Sequence, residues 1–206
     1  MIKKLIGATV LGLMALGTSM TANAIAVTDV QDYSNNVAGE YFVDVDANKY
    51  NSPYYRWFNQ DWGWTHNAIA GTFTSISLDI SAFDVDWPSE LDMISVWDGA
   101  TWATLGDLSG GSDIWSFTSF DLSGFAWAEA QVNAGLQVRV DIDSGNTSGF
   151  NNWALTLAKA TLSVDGGSQT CVPQPGVPCV SAAEPASLAL IGLGLVGFGV
   201  ARRRKA

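Results

Sequence analysis

Three aspartate pairs have a spacing that suits shared chemistry: Asp44/Asp46, Asp84/Asp86 and Asp141/Asp143. Each lies in a strand-like segment, and a period of two puts both carboxylates of a pair on one face. Pairs that converge at a sheet edge could supply the roughly six to eight oxygens that calcium takes. The best-placed cluster is Asp84, Asp86, Glu90 and Asp92, where Pro88 marks a loop at a strand end. Calcium is the cofactor this set would hold. The same carboxylates also suit a solvated acidic face, and for Asp141/Asp143 that reading accounts for the alternation by itself. Asp44-x-Asp46-x-Asn48 opens like an EF-hand loop, but Lys49 stands at the glycine position and Tyr55 at that of the bidentate glutamate.

The stretch Tyr54 to Trp64 offers a second chemistry. Tyr55, Trp57 and Trp62 stand among Asn, Gln and Asp residues. Sugar C–H faces stack on such rings while amides and carboxylates take the hydroxyls, so extracellular polysaccharide is the expected ligand. The core of a β-sandwich uses the same aromatic residues, and exposure decides between the two uses. His66 is the only histidine, and a Ser-His-Asp hydrolase would have to use it. No G-x-S-x-G or H-E-x-x-H motif accompanies it. A histidine beside Trp64 suits a hydrogen-bonded packing role. Acidic residues are plentiful enough for a glycosidase pair, and their plenty singles none out. No Gly-rich phosphate loop and no basic stripe occur, which disfavours nucleotides and nucleic acid. No residue is assigned a catalytic role.

The elements that must position these residues are strands. Ile25 to Asn35 reads as a lead-in with an edge strand, and Tyr41 to Asp46 as a strand by alternation. In Thr72 to Trp87 the apolar parity changes near Ser81-Ala82, which predicts a bulge or bend. Leu91 to Trp97 and Ala100 to Leu105 form a hairpin across Asp98-Gly99, a pair suited to a two-residue turn. Ile114 to Leu122 and Phe125 to Val132 are further strands. Leu136 to Asp143 alternates most cleanly, with Gln137, Arg139, Asp141 and Asp143 on a wet face. Trp153 to Val164 is the last strand, with a second parity change at Ala158 to Ala160. About eight strands at this spacing predict an all-β, antiparallel two-sheet sandwich, jelly-roll-like, over residues 25–166.

Residues 167–183 read as a Pro/Gly linker containing the only cysteines, Cys171 and Cys179, in TCVPQPGVPC. In an oxidising compartment the pair predicts one disulfide closing a tight ring. Zinc would want more ligands. Between Ile25 and Val180 lie nineteen of the twenty acidic residues and four of the ten basic ones, a formal charge of −15. Such a surface repels nucleic acid and anionic lipid heads.

The two ends are of another kind. Residues 1–24 carry Lys3 and Lys4, an apolar run from Leu5 to Leu16, and Ala22-Asn23-Ala24. This is the pattern of a secretory signal peptide cleaved after Ala24, and it implies the secretion machinery and signal peptidase as partners. Residues 184–206 read EPASLALIGLGLVGFGVARRRKA. Glu184-Pro185 precede an uncharged run from Ala186 to Ala201 and a basic stop of Arg202, Arg203, Arg204 and Lys205. As a helix the run would rise about 24 Å, somewhat short of a ~30 Å hydrocarbon core, and tilt or snorkelling closes the gap. The basic residues stay on the cytoplasmic side.

This tail resembles the PEP-CTERM sorting signal of Gram-negative bacteria, with Glu184-Pro185 as the second and third motif positions and Ala183 in place of the first proline. The resemblance implies export across the inner membrane and transient anchoring by the tail helix. It also implies processing near Glu184-Pro185 by an exosortase. The body resembles the sandwich ectodomains that precede such tails, through DWGWTH (61–66), AFDVD (82–86), SELDMISV (89–96) and WALTLAKATLSVDGG (153–167). The expectation is a non-enzymatic protein of the cell surface, extracellular matrix or biofilm, structural or adhesive in role. A carbohydrate-binding module, with or without calcium, is the alternative, and an extracellular hydrolase the next.

Overall fold

All eleven residues of Ala154–Val164 are buried, as a strand is when both its faces are covered. It is the ninth strand in a computed structural model of the chain. The structure describes residues 26–86, 89–145, 153–165, 169–170, 174–176 and 180–181. Before it come β1 (Val27–Asp32), β2 (Arg56–Trp57), β3 (Trp62–Thr65), β4 (Ile76–Phe83), β5 (Met93–Trp97), β6 (Trp102–Asp107), β7 (Trp115–Asp121), helix α1 (Ala128–Ala134) and β8 (Gln137–Asp141). A short ladder of β10 (Gln169–Thr170) and β11 (Val180–Ser181) follows β9.

The fold is the expected all-β sandwich of two antiparallel sheets. One runs β1-β9-β4-β7, with β2 also paired to β9, and the other runs β3-β8-β5-β6. The pairs β1·β9, β3·β8, β4·β7 and β5·β6 nest one inside the next, as in a long hairpin wound around a barrel. That winding is the jelly roll. Alternation puts Leu78, Ile80, Leu155, Leu157 and Leu162 of one sheet against Trp62, Trp64, Ile94, Val96, Val138 and Val140 of the other.

The two predicted parity changes are one irregularity. Across β4 and β9, Ser81 faces Lys159 while Ala82 faces Leu157, so Ala158 is the extra residue. β4 itself pairs with β7 without a break. Phe83 therefore starts no new phase: it lies on the outer face, packed on Tyr50 and Trp115.

Three expectations need correction. Tyr41 to Asp46 is no strand, because its backbone groups are taken elsewhere: the Asn36 side chain accepts from Phe42 N–H and donates to Phe42 C=O. Val45 N–H donates to the Asp44 side chain, and Asp46–Asn48 form a 3-10 turn. Phe125 to Val132 is no strand either. Most of it lies in or leads into α1, where Ala128 and Val132 are the buried pair four residues apart and Ala, Glu and Gln favour helix. Finally, the β5–β6 turn is longer than two residues. Trp97 pairs with Trp102, and Asp98 Oδ1 accepts from both Ala100 N–H and Thr101 N–H at 2.7 Å.

The predicted signal peptide with Ala24, the cysteines Cys171 and Cys179, and the tail with Glu184, Pro185, Arg202, Arg203 and Arg204 lie outside the described residues. Among the described residues no helix is long and apolar enough to cross a membrane.

Candidate functional site

The acidic cluster sits where β4 runs out and β5 begins. Asp84 holds a positive φ of 64°, and both its oxygens are engaged. Oδ1 accepts from Asp113 N–H at 2.8 Å and Oδ2 from the Tyr55 hydroxyl at 2.6 Å. Burial and that carboxylate push the Tyr55 phenol up. Asp86 N–H donates to Glu90 Oε2, while Asp86 C=O takes Ser89 N–H and Glu90 N–H. These contacts build a turn.

Glu90 and Asp92 are brought together and are fully buried. Asp92 Oδ1 accepts from Asp143 N–H. As two carboxylates, Glu90 Oε1 and Asp92 Oδ2 would have no partner. Sharing one proton lets the Glu90 carboxyl donate to Asp92, which satisfies both. Burial first, then the Asp92 charge, pushes Glu90 up. Burial likewise raises Asp92, against the Asp143 N–H and the Glu90 hydrogen bond.

The four residues expected to bind calcium thus do not form a cation cage. Asp84 is engaged, Asp86 acts chiefly through its backbone, and the remaining two carboxyls face each other. Among the described residues no group of three or more His, Cys, Asp or Glu comes together for a metal. Two carboxyls fall short of the roughly six to eight oxygens that calcium takes.

The aromatic run divides between two layers. Trp62 is in the core with Trp64 and Phe42. Tyr55 is half-buried, and Trp57 is 44% exposed. Trp57, Tyr55, Tyr50, Phe83 and Trp115 form a row of edge-on or tilted contacts, with successive centroids 5.2 to 5.5 Å apart, on the outside of the first sheet. Most polar groups of that row are engaged internally. The Tyr50 hydroxyl donates to Asp113, the Tyr55 hydroxyl to Asp84, and Trp115 Nε1–H to Asp46. The row is a second, smaller packed layer, with Trp57 as its open end.

His66 is a packing residue, as its neighbour Trp64 suggested. Trp64 Nε1 can only donate, so His66 Nε2 accepts at 3.2 Å and the proton sits on Nδ1, which donates to Asp29 Oδ2 at 2.9 Å. Burial raises the Asp29 pKa, but hydrogen bonds from His66, Asn67 and Gln31 outweigh it and hold the carboxyl well below the usual range. No serine can use Nε2 while Trp64 occupies it.

The outer face of the second sheet was legible only in part. The register places Arg139 between Gly63 and Ser95, and Ser95 opposite Thr104, in one row across four strands. Trp97 and Trp102 pair at one end, with centroids 5.8 Å apart. Asp141, Met93 and Asp107 lie in a row at the other end. Arg139 is exposed, and its Cζ lies 4.7 Å from the Trp102 centroid, a cation–π contact. Beside it a depression of about 220 Å³ is lined by Asp61, Trp62, Arg139, Val140 and Asp141. Burial first and Asp61 second raise the Asp141 pKa, against Arg139. The wet-face alternation pointed to Arg139 and Asp141. Nothing in the sequence paired β8 with the tryptophan hairpin, so Trp97 and Trp102 were missed.

The family model for the PEP-CTERM protein-sorting motif matches residues 184–205. No curated protein matches the chain. The motif marks an exported protein sorted by an exosortase. It covers about a tenth of the chain and says nothing of what the sandwich does.

Proposed function

We propose that the body is a non-enzymatic, adhesive protein of the cell surface or extracellular matrix, released to that setting through the sorting tail after signal-peptide removal. The reading is carried by one observation: a sorting motif follows a jelly-roll body whose histidine and whose buried carboxyls at 84, 90 and 92 are tied up in internal hydrogen bonds or face each other. The polar groups most suited to catalysis hold the fold, while the open surface is a sheet face and an acidic rim. The same arrangement favours a stable display module over a turnover site.

The test is made in the producing cells. Loss of the protein should reduce cell–cell or cell–matrix adhesion. The wild-type chain should restore it, and a chain with Glu184→Ala and Pro185→Ala should stay with the membrane and fail to restore it. Unchanged adhesion on deletion overturns the reading. So does release of new reducing ends from a polysaccharide by the purified chain, which would make Asp61 and Asp141 a hydrolytic pair instead.

A further inference from the structure

We propose that the outer face of the β3-β8-β5-β6 sheet binds a neutral polysaccharide chain, stacked on the Trp97/Trp102 pair and hydrogen-bonded by Arg139. This rests on the adhesive reading and gives it a ligand and a place.

The aromatic rows on the two sheets differ in how far their polar atoms are engaged. On the first sheet, Tyr50, Tyr55 and Trp115 have their polar atoms tied to Asp113, Asp84 and Asp46. On the second, neither indole N–H of Trp97 and Trp102 has a hydrogen-bond partner among the described residues, and neither does the guanidinium of Arg139. Arg139 lies over Trp102, its Cζ 4.7 Å from the ring centroid, and its exposed guanidinium keeps N–H donors for a ligand. Gln137, Thr104 and Thr65 are exposed around it, and Asp141 adds an acceptor. Flat rings, a fixed donor fork and nearby acceptors are the complement of a sugar: C–H faces on the rings, hydroxyls to the polar groups.

Charge selects among sugars. Arg139 is one of four basic residues in a body of formal charge −15, with Asp61 and Asp141 lining the depression beside it and Asp107 in the neighbouring cross-strand row. An acidic polymer is repelled by that field, and so is a second copy of the chain. A neutral polymer is not. The three cross-strand rows span four residues along β8, about 13 Å, and four strands across, about 14 Å, an extended strip suited to a chain.

The experiment is native affinity electrophoresis of the full chain, kept in a polyoxyethylene detergent, through gels containing hydroxyethylcellulose, dextran or alginate. Retardation is expected with a neutral polymer and not with alginate. Trp97→Ala should weaken it about tenfold, the scale of one lost stacking contact. Arg139→Gln, at an exposed position and so safe for folding, should weaken it comparably, with unchanged melting. Trp57→Ala should leave it unchanged. Retardation by alginate alone overturns the proposal, as does retardation by no polymer. Retardation that survives Trp97→Ala and Arg139→Gln but is lost with Trp57→Ala overturns it too, moving the site to the other sheet. In each of these cases the adhesion phenotype of the deletion strain still judges the broader reading separately.

Discussion

Gly63 faces Arg139 across the β3–β8 ladder. A Cβ there would lie 2.5 Å from Val138 O and 3.3 Å from Arg139 Cβ. The first contact is with backbone, which cannot swing away. Gly63→Ala should therefore part β3 from β8, and a urea melt should show a loss of about 1–3 kcal/mol, the usual cost of overpacking. Wild-type stability in that variant would mean the two strands are not held at this spacing. His66 makes a different argument. It joins Trp64, two residues away, to Asp29, 37 residues away, with its ring buried. Removing it leaves a void, an unpaired indole N–H and a half-buried carboxylate short of one donor. His66→Ala should cost about 2–4 kcal/mol. A loss well under 1 kcal/mol would show that the chain Trp64–His66–Asp29 contributes little. The packing role of His66 was readable from the adjacent Trp64. Its partner was not, because nothing local distinguishes Asp29 from the eighteen other acidic residues of the body.

At the scale of elements, strands with one wet face were the most legible. β8 alternates because Val138 and Val140 face the core and Gln137 and Arg139 face solvent. Alternation misled where side chains took over the backbone, as Asn36 does for Phe42, and where helix formers followed the Phe125/Trp127 stack. The acidic cluster is a related case: spacing brings carboxylates near one another, but it cannot tell a cation cage from a proton-sharing pair. The Glu90–Asp92 pair joins the start of β5 to the end of β8 through Asp143 N–H, and the sign of its pH dependence follows. The folded pair keeps its shared proton at pH values where unfolded carboxyls, at about 4, have lost theirs. Unfolding in that window releases protons, so this pair's contribution falls as pH rises from about 4 through neutrality. Asp29 acts oppositely, and its contribution is lost as pH falls below 4. Glu90→Gln keeps the donor and removes the second ionisation. It should raise the melting temperature at pH 8 and change it little at pH 5. A gain equal at both pH values would show that ionisation of the pair is not what the substitution relieves.

At the scale of the whole molecule, charge is the dominant feature outside the core. Nineteen carboxyl groups against four bases between 25 and 180 place a strongly negative field around a sandwich about 140 residues long. Like charges this dense oppose the compact state, and added ions screen them within a Debye length of about 10 Å at 0.1 M. Any salt should therefore raise the melting temperature, and divalent cations more than sodium at equal concentration, because they contribute more ionic strength. A bound calcium would do something else. It would add a stabilisation growing as the logarithm of calcium over its dissociation constant, several kcal/mol for a micromolar site at millimolar ion, or several degrees in a domain of this size. Since Asp84 is engaged by Tyr55 and Asp113, and Glu90 and Asp92 face each other, the expected result is screening alone. Calcium and magnesium at matched ionic strength should give the same melt, and a chelator added at constant ionic strength should leave it unchanged. A calcium melt several degrees above the magnesium one would mean that the carboxyls near 84–92 open to take a cation, and that Glu90 and Asp92 share an ion where the structure has them share a proton.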